Sequence, residues 1–253
     1  NPRGRDGLSR PSRARARYLR SCPLDDARGC PRPMIDMDAS GSLGILMLDT
    51  RFPRLPGDAG HPGSWRMPVR LHVIRGAAPR RIVQAPTADD LQPFITAAQD
   101  LQRAGVRAIT TSCGFLVRWQ AALQAAVSVP VWSSSLLAVS GLDRPGVLTV
   151  DAASLGPAEW AAAGAPVDTP VQGLEPGCHL QRVLLDNPER LDPVVARDDV
   201  LQAARALLAR HPEVRNLVLE CTNLPPYAEA LAADTARPVH HLVSWVHTRW
   251  ASL

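Results

Sequence analysis

The chain has 253 residues, of which 45% are apolar and 21% charged, and a formal net charge of +4. A body of this size buries about 70% of its unfolded surface, so the core needs no metal or disulfide, and the composition excludes a disordered chain. The charge excess lies wholly in residues 1–41, with nine Arg against five acidic residues, while the other 212 residues carry 19 of each sign; lacking a clustered positive surface, the body is not expected to bind nucleic acid.

In chain order, residues 1–41 come first. They are rich in Arg, Pro and Gly, show no helical or strand period, and lack the apolar stretch of a secretory signal. They are expected to be a disordered extension, or translated sequence upstream of a start at Met34 or Met37. Beyond them, Leu43–Leu48 and Val69–Ile74 read as strands separated by a Pro/Gly-rich loop. A helix over 89–104 carries Leu91, Ile95, Ala98 and Leu101 at helical spacing, with Thr87 or Asp89 as its cap. Val106–Thr111 is a strand, 115–126 a helix and Val129–Trp132 a strand. The pattern then restarts: strand 146–150, helix 157–163, strand 169–173, helix 194–210, strand 214–219, helix 225–233, strand 239–242 and a closing helix with Trp245 and Trp250. No apolar run is long enough to cross a bilayer, so no membrane partner is expected.

The restart is an internal duplication. Shifted by 108 residues, Val106–Val131 lies over Val214–Val239 without a gap and nine of 26 positions are identical, Cys113/Cys221 among them, where chance gives about two. A shift of 102 lays Gly44–Asp49 on Gly146–Asp151. Repeated strand–helix units predict an α/β fold of two similar halves, 42–141 and 142–253, each a parallel sheet covered by helices, with the last helices able to pack back on the first half.

The five cysteines are Cys22, Cys30, Cys113, Cys178 and Cys221. An odd count at wide spacing gives neither a disulfide framework nor a zinc site, so reduced thiols in the cytoplasm are expected, with no metal. Cys113 and Cys221 each fall just after a strand and just before a helix, the edge of a doubly wound sheet where ligands bind. A helix N-terminus there is expected to favour thiolate over thiol. Halves facing each other about a pseudo-twofold axis would place one sulfur on each side of an active site between them. One thiolate would then take a proton from carbon and the other thiol return one, inverting a carbon acid without a cofactor.

The segments Ile109-Thr110-Thr111-Ser112-Cys113-Gly114-Phe115 and Leu219-Glu220-Cys221-Thr222-Asn223-Leu224-Pro225 resemble the aspartate/glutamate/hydantoin racemase superfamily. The second is close to its Gly-Cys-Thr motif, the first corresponds to its Cys-Asn-Thr segment, and Leu48-Asp49-Thr50 resembles the Asp-Ser pair after its first strand. The resemblance covers about Leu43 to Trp250. It implies two flavodoxin-like halves, no pyridoxal phosphate, Cys113 and Cys221 as the two acid/bases, Thr222 on the substrate carboxylate, and Asp49 and Thr50 at the cleft mouth. It is also what suggests a homodimer. At Gly114-Phe115 the chain departs from the family's Asn-Thr. Gly114 offers only a backbone N–H, Thr111 and Ser112 are the hydroxyls that would compensate, and Phe115 either favours a less polar ligand or covers the cleft.

Weaker candidates remain. Ser133 and Ser134, after the fourth strand, either bind a substrate carboxylate or cap a helix. Asn223 either donates to substrate or caps a helix. Glu220 either relays protons, binds a substrate ammonium or is solvated. His240 and His241 either tune Cys221 or are structural, and Arg51 and Arg54 either bind a distal acid or solvate the loop. The expected function is a racemase or epimerase acting on a small carboxylate or hydantoin-like carbon acid. The alternatives are a decarboxylase or cis–trans isomerase on the same thiols, or a small-carboxylate binder without turnover.

Overall fold

The computed structural model describes residues 41–253; the expectations for residues 1–40, with Cys22, Cys30, Met34 and Met37, lie outside the described residues. The apolar runs become strands. In the first sheet β1 (Leu43–Leu48), β2 (Val69–Ile74), β3 (Ala108–Thr111) and β4 (Val131–Trp132) lie in the order β2-β1-β3-β4. In the second, β5 (Pro145–Thr149), β6 (Val171–Gly173), β7 (Asn216–Leu219) and β8 (Val239–His241) lie in the order β6-β5-β7-β8. All pairings are parallel. Parallel strands are covered on both faces, which is why β1 reads as an unbroken apolar run, and all six of its residues are buried.

The strand order is the same in both sheets, and the two sequence shifts carry β1 onto β5 and β3 onto β7. The halves of the duplication are therefore equivalent structures, an α/β fold of two flavodoxin-like sheets. Helices α2 (Leu91–Arg103), α3 (Gln120–Ala125), α4 (Pro157–Ala163), α6 (Pro193–Arg210) and α7 (Ala228–Thr235) occupy the predicted helical regions. The segments after the two cysteines open differently from the expected helices, with 3-10 turns at Gly114–Trp119 and Pro225–Tyr227 ahead of α3 and α7.

Two further helices are α1 (Pro79–Gln84) and α5 (His179–Asp186). Cys178 is structural in this sense: its sulfur accepts the Gln181 N–H and caps α5. The final helix, α8 (Leu242–Trp250), leaves the second sheet and sets Leu242, Val243 and Val246 into a core with Leu43, Ile45, Met47 and Ala108 of the first. Among the described residues no helix is long and apolar enough to cross a membrane.

The loop 49–68 crosses to the other half. Gly57 has φ +103 and lies so close to Pro226 that a Cβ would come within 2.9 Å of its Cα, so this position requires glycine for both conformation and space. Next to it, the Ala59 N–H donates to Thr222 O at 3.1 Å.

Candidate active site

β3 ends at Thr111 and β7 at Leu219, and the residues that follow meet across the two halves. Thr222 Oγ1 donates to Ser112 O at 2.6 Å, tying one cysteine loop to the other. Cys113 and Cys221 are buried, at 7% and 6% exposure, and line one cleft together. Its walls are mostly apolar: Leu48, Phe52, Pro79, Val83, Phe115, Val150, Leu184 and Leu185. The polar lining is Arg54, Ser112, Thr222 and Asn223. The cleft is nearly closed, with about 20 Å³ of room, enough for about one water.

A chain of hydrogen bonds runs from one thiol to the Arg. The Cys221 thiol donates to Asn223 Oδ1 at 3.6 Å, and Asn223 Nδ2 donates to Asp58 Oδ2 at 2.6 Å. Asp58 Oδ1 accepts from Arg54 Nη1 at 2.7 Å and from the Gly60 N–H at 2.6 Å. Arg54 Nη2 donates to Thr50 Oγ1 at 3.0 Å, and the guanidinium lies over the Phe52 ring, 5.1 Å from its centre. Arg54 is thus held at the cleft wall by a buried carboxylate and an aromatic face.

Both thiols are held protonated. Burial pushes Cys113 up to about 12, with Glu220 adding to the effect, while the Phe115 and Leu116 N–H groups and the Arg118 charge work the other way. Burial also raises Cys221 well above its ordinary value, again reinforced by Glu220 and opposed by the Asn223 N–H. The depression expected from helix N-termini is therefore overturned. Each cysteine is followed by a short 3-10 turn rather than a full helix, and its one or two N–H donors do not offset the loss of water around a buried thiolate.

Of the sequence candidates, Arg54, Ser112, Cys113, Gly114, Phe115, Cys221, Thr222 and Asn223 come together in the cleft lining. Others sit outside it and have local partners. Asp49 Oδ2 accepts the Gly76 N–H, and Thr50 holds Arg54. Thr111 Oγ1 lies 2.9 Å from Cys113 O and 2.7 Å from Ser133 O, bracing the turn. Ser133 Oγ donates to Gln120 Oε1, and Ser134 caps the turn that starts at Ser135. His240 pairs with Asn216, and His241 Nδ1 caps α8. The Arg51 N–H donates to Asn187 Oδ1.

The sequence reading missed Asp58, Phe52 and the walls from α1 and α5. Asp58 stands four residues after Arg54, but in a loop without a period that spacing carries no signal. For α1 and α5 the duplication gave no usable signal, since the shift of 100 residues that lays Pro79–Gln84 on His179–Leu184 matches only Val83 with Val183.

No family model matches the chain. It is 30% identical over 230 residues to dimethylsulfoniopropionate lyase 6 of Emiliania huxleyi (strain CCMP1516), covering 84% of this chain and 60% of that protein. It is 29% identical over 218 residues to a dimethylsulfoniopropionate lyase of Durusdinium sp. clade D, covering 80% and 71%. The chain thus spans about three fifths of the first of these relatives. Among solved structures it superposes on a glycine-to-cysteine mutant of arylmalonate decarboxylase with a TM-score of 0.59 at 14% identity, covering 83% of this chain and 93% of that one. It also superposes on a glutamate racemase from Bacillus anthracis with a TM-score of 0.56 at 15% identity, covering 85% and 83%.

Proposed function

We propose, for a chain that has the fold of the aspartate/glutamate racemase superfamily, a carbon–sulfur lyase that acts on dimethylsulfoniopropionate or a close sulfonium carboxylate. The observation that carries this reading is the lining of the cleft, whose walls must part to admit the substrate because the closed cleft has room for about one water. Among the described residues the lining holds two thiols, one from each half, and an Arg, while the one carboxylate next to it, Asp58, lies behind the wall and is already taken up by Arg54 and Asn223. An amino-acid substrate would bring a strongly hydrated ammonium into walls that offer it no counter-charge, which is costly. A dimethylsulfonium group carries its charge beneath methyl groups and suits aliphatic and aromatic walls such as Phe52 and Phe115. The curated relatives, named as lyases of that substrate, support the same reading.

The chemistry is the carbon-acid chemistry of paired thiols with a different exit. Arg54 and the backbone N–H groups of the cysteine loops hold the substrate carboxylate. Both thiols rest protonated, so one first passes its proton to water as the substrate enters, and the thiolate so formed takes the proton from the carbon beside the carboxylate. The C–H electron pair becomes the new C=C bond, and the C–S bond breaks with its pair going to sulfur. The products are acrylate and neutral dimethyl sulfide, with the proton on the enzyme thiol. Racemisation is the second reading, favoured by the presence of a thiol on each half.

The deciding experiment incubates the protein with dimethylsulfoniopropionate in D2O, measuring dimethyl sulfide by gas chromatography and acrylate by NMR. A parallel arm follows α-deuteration of both enantiomers of aspartate and glutamate. Sulfide and acrylate in equal amounts, reduced about 10²-fold or more in Cys113→Ser and Cys221→Ser, support the lyase. Deuterated amino acid without sulfide release overturns it in favour of the racemase.

A further inference from the structure

We propose that Glu220 is a positioning residue that governs the protonation of Cys113 and Cys221 from behind the cleft. Its side chain leaves the end of β7 and enters space that only a glycine in the other half leaves open. A Cβ on Gly114 would lie 2.4 Å from Glu220 Oε1 and 2.2 Å from its main-chain oxygen. Glu220 is fully buried. Thr149 Oγ1 donates to Oε2 at 2.7 Å, and among the described residues Oε1 has no hydrogen-bond partner.

The charges around this carboxyl do not balance it. Arg118 is near but is paired with Glu159, which also accepts the Gly156 N–H. Burial pushes Glu220 up to about 8, with Glu159 adding to the rise, while the Thr149 hydrogen bond and Arg118 oppose it. At neutral pH Glu220 therefore keeps its proton. After burial itself, its charge is the largest influence on each thiol; Arg118 also faces Cys113, and Cys113 and Asp58 also face Cys221. A neutral Glu220 permits a thiolate beside it, whereas an ionised one repels it. The carboxyl and the two thiols titrate as a coupled set.

This inference rests on the reading that these two thiols react, and not on the substrate. Its test reads thiol chemistry with no substrate present. The full chain, Glu220→Gln and Thr149→Val are alkylated with iodoacetamide across a pH series, and modification of Cys113 and Cys221 is resolved by peptide mass spectrometry. In the unaltered chain the rise of rate with pH should flatten above about pH 8. Glu220→Gln should remove the flattening and react about tenfold faster at alkaline pH, the change that one pKa unit gives. Thr149→Val removes a hydrogen bond that favours ionised Glu220, so it should move the flattening to higher pH. Superimposable profiles for the unaltered chain and Glu220→Gln would overturn the proposal, leaving Glu220 a packing residue. Should Glu220→Gln not fold, an unmoved break in Thr149→Val would overturn it alone. A shifted profile in a protein that releases no dimethyl sulfide would keep this inference and discard the lyase.

Discussion

Residue 114 is glycine because of a residue 106 positions later. The family pattern places Asn after the first cysteine and Gly before the second; this chain has Gly114 and Glu220 there, and the small residue has changed sides of the contact. Gly114→Ala should therefore overpack the junction. The clash includes a main-chain oxygen, which no rotamer change of Glu220 relieves. A loss of about 1–3 kcal/mol is expected from urea denaturation, with a tendency to separate the two cysteine loops. An unchanged midpoint would mean that the junction gives way freely. The sequence showed the departure from the pattern at Gly114, but its cause lay on another strand and could not be read locally.

Among the elements, the strands were legible because a buried parallel sheet imposes an uninterrupted apolar run, as in Leu43–Leu48. The helices α1 and α5 were not. They have six and eight residues, too short for a periodic stripe to stand out, and α1 opens on Pro79 without a side-chain cap. Both nonetheless wall the cleft, through Pro79 and Val83 on one side and Leu184 and Leu185 on the other. The cysteine loops are joined by one buried hydrogen bond from Thr222 to Ser112 O. Thr222→Val, close in shape, leaves that carbonyl without its side-chain donor. It should cost about 1–3 kcal/mol in urea denaturation; a neutral result would show that the loops are held by packing alone.

For the whole molecule, stability should depend on pH through the buried acids. Glu220 is raised in the folded state, so its contribution is present below its unfolded value and is lost as pH rises through about 8. The raised thiols lose theirs at still higher pH. His241 is lowered to about 4 by burial and by His247 and His240; its contribution is present above its unfolded value and is lost as pH falls toward 4. Denaturation midpoints of the unaltered chain and Glu220→Gln should therefore diverge from about pH 5 to pH 9, with the unaltered chain falling behind. Parallel curves would contradict a raised Glu220.

The sequence by itself determined the fold class, the duplication and the pair of cysteines, because these rest on local apolar runs and on self-similarity, both of which are written along the chain. Tertiary structure decided the ionisation of those thiols, the place of Arg54 and Asp58, and the pairing of Gly114 with Glu220. Each of these depends on which groups from distant segments exclude water from one another. Burial and close approach across a cleft are properties of the folded surface, and no spacing along the chain encodes them.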